Sequence, residues 1–153
     1  MDQTQLHMMD EQADTAIANW CFAALAANLL PPPFDIMAVG TVFGKMGARL
    51  AEIYDVRVSW PVMKSLGKSM AKGVGAVLMA SYVGTGLFKY VPGVNIWVAL
   101  LIQPPMVAAV AYSVGKAFKQ YFHIRLTEGC DLTPDQIREL AEAHLREKLE
   151  VAL

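Results

Sequence analysis

The sequence predicts an all-α fold: a bundle of two proline-turned apolar helical hairpins followed by an amphipathic C-terminal helix. Three observations carry that expectation. No run alternates polar and apolar residues with the period of two that a half-buried strand requires. Apolar residues recur three and four positions apart instead, the spacing that lines one face of a helix. Prolines and glycines then divide the chain into five helical segments.

The first predicted helix runs from Gln3 to Leu30 and stops at Pro31-Pro32-Pro33, because proline lacks the N–H donor and clashes with the preceding turn. Residues Thr15 to Phe34 carry no charge. The second helix runs from Asp35, a natural N-cap, to Tyr54. In it Lys45, Arg49 and Glu52 form a polar stripe beside the apolar Met46, Leu50 and Ile53. The third starts near Ser59 with Pro61 in its first turn and continues to Tyr90. Lys64, Lys68 and Lys72 recur at i, i+4, i+8 along one of its faces. Its second half is uncharged and holds Gly73, Gly75, Gly84 and Gly86; glycine this frequent weakens a helix and is expected where two helices approach closely.

Val91-Pro92-Gly93 ends the third helix, and Asn95 caps a fourth that reaches Arg125. Pro104-Pro105 in its middle is expected to kink or break it. Lys116, Lys119 and Arg125 restore charge after an uncharged run. The fifth has Thr133 as N-cap, Pro134 at the first helical position and Gln136 three residues on, a capping box. Leu132 and Ile137 are placed for a hydrophobic staple, and Arg138–Glu142 and Arg146–Glu150 for i, i+4 ion pairs. A faint repeat links Pro32-Pro33-Phe34-Asp35-Ile36 with Pro92-Gly93-Val94-Asn95-Ile96, so Pro31, Pro32, Pro33, Asp35, Pro92, Gly93 and Asn95 mark two equivalent hairpin turns. The domain reading is an acidic leader (1–14), a helical-hairpin domain (15–125) and a C-terminal helix (131–153).

Composition narrows the function. At 153 residues the chain is one domain, with 55% apolar residues against a typical 45–50% and 18% charged against about 25%. The net charge of −1 implies no general attraction to nucleic acid. Cys21 and Cys130 have no CxxC spacing, which gives neither a disulfide framework nor a zinc site; Cys21 reads as a small buried thiol. Four acidic residues precede the first apolar run, where an export signal carries basic ones, so the expected compartment is the cytoplasm or the cytoplasmic face of a membrane.

Catalytic chemistry finds no foothold. Gly67-Lys68-Ser69 looks like the tail of a phosphate-binding loop, but Val62 stands where that loop needs glycine, and the segment reads as helix. His7, His123 and His144 have no ligand-type partners in metal-site spacing, and His144 reads as a packing or interface residue. No enzyme, metal or cofactor is expected. The lysine stripe is either a solvated face or a contact with anionic headgroups or an acidic partner. If both proline turns are hairpin tips, Lys64, Lys68, Lys72, Arg57, Lys116 and Lys119 gather toward the opposite, basic end, as the positive-inside rule asks of a cytoplasmic side. A membrane span needs about 20 apolar residues. The uncharged stretches barely reach that or are interrupted by prolines, so partial insertion, shielded spans and burial in an assembly all stay open.

The segment Leu30-Pro31-Pro32-Pro33-Phe34-Asp35-Ile36, followed by Met46 and Leu50-Ala51-Glu52-Ile53-Tyr54, resembles the first signature of the YcjF-type bacterial family of unknown function. Tyr90-Val91-Pro92-Gly93-Val94, then Ala111-Tyr112-Ser113-Val114-Gly115-Lys116-Ala117 and Tyr121-Phe122, resembles the second. The resemblance implies a membrane-associated helical domain that works with an Era-like GTPase. This chain has no GTPase domain, so the resemblance implies a GTPase in trans, and it carries over no site residues. The expectation is a non-catalytic, homo-oligomeric helical scaffold at the bacterial inner membrane or its cytoplasmic face. The alternative is a soluble, cytoplasmic self-assembling protein whose apolar helices bury at subunit interfaces.

Overall fold

The computed structural model describes residues 2–27, 34–83 and 103–152, which form an all-α bundle. In chain order the helices are α1 (Gln3–Ala27), α2 (Phe34–Ile53), α3 (Trp60–Val83), α4 (Gln103–Glu128) and α5 (Pro134–Ala152). α1 packs on α2 and α4, α2 on α3 and α4, and α5 covers α3 and α4.

Residue contacts fix the directions. Ile17 of α1 lies on Gly115 of α4, and the Cys21 thiol faces the Ala108 carbonyl at 3.9 Å, so these helices run antiparallel. Asp10, early in α1, meets Tyr54 at the end of α2, so that pair is antiparallel too. Gly40 lies against Lys68 and Gly44 against Met63 and Lys64, which makes α2 and α3 antiparallel. The helix ends at Ala27, Phe34, Val83 and Gln103 therefore all point to one end of the bundle. The opposite end holds the start of α1 and the α2–α3 and α4–α5 links.

The core follows the predicted apolar stripes. Phe43, Met46 and Leu50 of α2, Met63, Met70 and Val74 of α3, and Val114, Phe118 and Phe122 of α4 are fully buried or nearly so. Ile137, Ala141 and Leu145, four residues apart, are the buried face of α5. Phe122 is the hub of an aromatic cluster, with ring centroids 6.3 Å from both Tyr54 and Phe118 and 5.0 Å from Tyr121. Offset rings at these separations add to the stabilisation from burial alone.

Local chemistry sets the helix ends. α2 closes with the Val56 N–H on the Ala51 carbonyl at 2.8 Å and the Asp55 N–H on the Glu52 carbonyl at 3.1 Å, with Asp55 left-handed at φ +54°. This is the Schellman arrangement, with aspartate where glycine is usual. α5 starts on its predicted capping box: the Gln136 N–H donates to the Thr133 hydroxyl at 3.3 Å, and the Thr133 N–H donates to the Gln136 side chain at 2.9 Å.

Pro104 and Pro105 stand in the first turn of α4, which begins at Gln103, where a missing N–H leaves no helical bond unmade; the predicted part of that helix before them, from Asn95, lies outside the described residues. The acidic residues before Thr15 form the first half of α1, as the predicted helix from Gln3 has them, anchored by the fully buried Ala13 and by contacts from Asp10 and Asp14 into the bundle. Arg146 and Glu150 form no ion pair among the described residues, whereas Arg138 and Glu142 stand 3.7 Å apart. Asp35 lies in the first turn of α2, while Pro31, Pro32, Pro33, Pro92, Gly93 and Asn95 fall outside the described residues.

Candidate functional site

The side chains that usually carry chemistry are placed structurally. No group of three His, Cys, Asp or Glu residues gathers to hold a metal among the described residues. Gly67-Lys68-Ser69 lies inside continuous α3. Gly67 is pressed onto α2, and a Cβ there would stand 2.5 Å from the Gly44 nitrogen and 2.6 Å from the Gly40 carbonyl oxygen. A helical glycine wedged against another backbone presents no free N–H groups to a phosphate. His144 bridges α5 to Gln120 of α4 at 3.1 Å, and His7 pairs with Glu11 one turn away. Burial pushes the Cys21 thiol above its ordinary value, with the charge of Lys148 offsetting part of the rise.

Glycine at the α2–α3 contact matches the close approach expected of small residues, although the decisive positions are Gly40, Gly44 and Gly67. Of the four glycines singled out in the sequence, Gly73 packs on the Arg138 stem and Glu142 of α5. The surroundings of Gly75, and Gly84 and Gly86 altogether, lie outside the described residues.

The predicted basic positions separate into two groups. Lys116 and Lys119 turn into the bundle, where both ammonium groups meet one Asp14 oxygen, at 3.0 and 2.9 Å. Burial raises the Asp14 carboxyl, but the lysine hydrogen bonds and charges outweigh it and hold the group below its ordinary value. Burial likewise lowers the Lys116 ammonium, and Asp14 more than reverses that. These two lysines fasten α4 to α1. Tyr54 and Tyr121 act in the same way: their hydroxyls donate to Asp10 and, at 2.6 Å, to Asp131. Burial first, and then the neighbouring carboxylate, pushes both phenols upward.

The second group faces outward. Lys64, Lys68 and Lys72 are exposed along α3, Arg57 is exposed in the α2–α3 link, and Lys45 is exposed on the adjoining helix. None of these five forms an ion pair among the described residues. Trp60 and Val62, 42% and 55% exposed, stand at the head of the lysine stripe. A shallow cleft beside them, about 380 Å³, is lined by Trp20, Lys45, Ala48, Arg49, Glu52 and Trp60. The basic stretch from Lys45 to Lys72 is readable in the sequence, but Trp60 was missed as a member of this surface, because its neighbourhood depends on how α2 crosses α3. A further signal was available in the sequence: no Asp or Glu occurs between Asp55 and Glu128.

No described helix is long and apolar enough to cross a membrane. No protein-family model and no solved structure matches the chain. Over 114 residues the chain is 31% identical to "Magnetosome membrane protein 22" of Magnetospirillum gryphiswaldense (strain DSM 6361 / JCM 21280 / NBRC 15271 / MSR-1). The alignment covers 74% of this chain and 58% of that relative, so the chain spans little more than half of its length.

Proposed function

We propose that this chain is a non-catalytic, membrane-associated helical scaffold that seats one end of its bundle on a bilayer and assembles with further copies of itself. The carrying observation is the common direction of the helix ends at Ala27, Phe34, Val83 and Gln103. The stretches joining them, 28–33 and 84–102, contain Lys89 as their one charged residue. Stretches this poor in charge, beside helices with charged faces, are suited to partial burial in lipid. The relative's name, a membrane protein, supports the same reading.

Detergent-free lysis followed by separation of membranes from supernatant tests it. Recovery with the membranes, released by detergent, is the expected result; a fully soluble monomer overturns the proposal. The exposed Met8, Phe22, Trp60 and Val62 favour one second reading, in which apolar surface meets other copies instead of lipid. That reading requires a large particle that forms without detergent. The YcjF-type resemblance adds a GTPase in trans to the proposal, to be sought by co-purification in the presence of GTP.

A further inference from the structure

We infer that the outer face of α3, with Lys45 of α2 and Arg57 of the link between them, binds the anionic headgroups of a bilayer, so that attachment selects acidic over zwitterionic lipid. The inference rests on the membrane reading and deepens it, from where the chain sits to which lipid it prefers.

The charge distribution comes first. α3 contains no acidic residue, and its Lys64, Lys68 and Lys72 are all exposed. Three acids border this face: Glu52 is engaged by Arg49 at 2.8 Å and Glu142 by Arg138 at 3.7 Å, while Asp55 is exposed two residues before Arg57. The five cations form no ion pair among the described residues, and no carboxylate occurs from residue 56 to residue 127.

The geometry suits a flat, fluid surface met by the side of the bundle, since Arg57 and Trp60 stand at the end opposite Ala27, Phe34, Val83 and Gln103. Lys64 to Lys72 covers eight residues, about 12 Å at the helical rise of 1.5 Å per residue, so three charges stand in a line along one helix. Gly40 and Gly44 let α3 lie close to α2, with the Lys68 stem 3.3 Å from where a Gly40 Cβ would be. A lysine whose methylenes rest on a neighbouring helix keeps its ammonium toward solvent, the usual posture beside a membrane. Trp60 adds an exposed indole at the head of the stripe, and tryptophan favours the headgroup level of a bilayer. A protein partner would need acids in matching register. A lipid surface needs only an excess of positive charge on one face, which the five exposed cations supply.

The test is co-sedimentation of the intact chain with vesicles of phosphatidylcholine alone and of phosphatidylcholine with phosphatidylglycerol. Each lysine beside an acidic bilayer strengthens binding about fivefold, so Lys64→Gln/Lys68→Gln/Lys72→Gln is expected to lower affinity for the acidic vesicles on the order of a hundredfold. Affinity for phosphatidylcholine should stay the same, and Arg146→Gln, exposed on α5, should change binding to neither. Circular dichroism of each variant checks that the helices persist; were the triple variant unfolded, the three single Gln variants carry the same comparison at about fivefold each. Equal binding to both lipids, unchanged by the substitutions, overturns this inference and leaves the membrane reading standing. Binding to neither vesicle overturns both. A triple variant that changes assembly size but not lipid binding also overturns the inference, because the stripe is then a contact between copies.

Discussion

A methyl group added at Gly67 would collide with backbone atoms of Gly40 and Gly44, which no side-chain rotation can relieve. Gly67→Ala is therefore expected to push α2 and α3 apart and destabilise the fold by about 1–3 kcal/mol, read as a lower urea midpoint at unchanged slope. Asp55 presents the opposite case. It holds φ +54° at the end of α2, a conformation that disfavours a residue with a Cβ, so Asp55→Gly is expected to stabilise by about 0.5–1 kcal/mol. Asp14 makes stability depend on acid. Its folded carboxyl titrates below the ordinary 3.8, so its contribution is complete above that value and is lost as pH falls through the folded value. Melting temperatures of the wild type and Asp14→Asn should differ at neutral pH and converge as pH falls through the folded carboxyl's value, below 3.8; a gap that persists in acid would assign Asp14 no role in acid sensitivity. None of these three roles was legible in the sequence. Lys116 and Lys119 looked like surface charges because their carboxylate lies about a hundred residues earlier in the chain, and only the fold brings it to 3.0 and 2.9 Å.

Helices were easier to read than single contacts, because their signals are local. The apolar stripe of Met46, Leu50 and Ile53 and the cap at Thr133 both need only a few neighbouring residues to be recognised, and both appear as expected. Thr133→Ala is expected to weaken α5 by about 1 kcal/mol, since it strips the hydroxyl from the Gln136 N–H. Amide exchange should show the loss at the start of α5 before it reaches α2. The prolines of α4 were harder to place. Pro104 and Pro105 suit either a kink or a first turn, and the choice depends on where the helix starts; α4 begins at Gln103. The basic patch was half legible for a similar reason. The lysine spacing on α3 and the basic run back to Lys45 are local, but the meeting of Lys45 and Trp60 at one cleft follows from the glycine contact between α2 and α3.

At the scale of the molecule, the packing directs the ends at Ala27, Phe34, Val83 and Gln103, and the C-terminal end of α5, toward one pole, and the unpaired cations of α2 and α3 lie along the side. The apolar excess in the composition suggested lipid or assembly without choosing between them. The direction of the helices and the exposed cations together make an oriented claim: the bundle lies with the outer face of α3 along the bilayer, the pole at Ala27, Phe34, Val83 and Gln103 enters the surface, and the α4–α5 link stays in water. Cys130, exposed in that link, is a natural position for a reporter there, and Gln103→Cys in a Cys21→Ser/Cys130→Ser background places one at the other pole. The decisive measurement is the emission of an environment-sensitive fluorophore at each position when vesicles containing phosphatidylglycerol are added. The account predicts a blue shift and protection from an aqueous quencher at residue 103, with no change at Cys130. A shift at Cys130 with none at residue 103, or equal shifts at both, would contradict it.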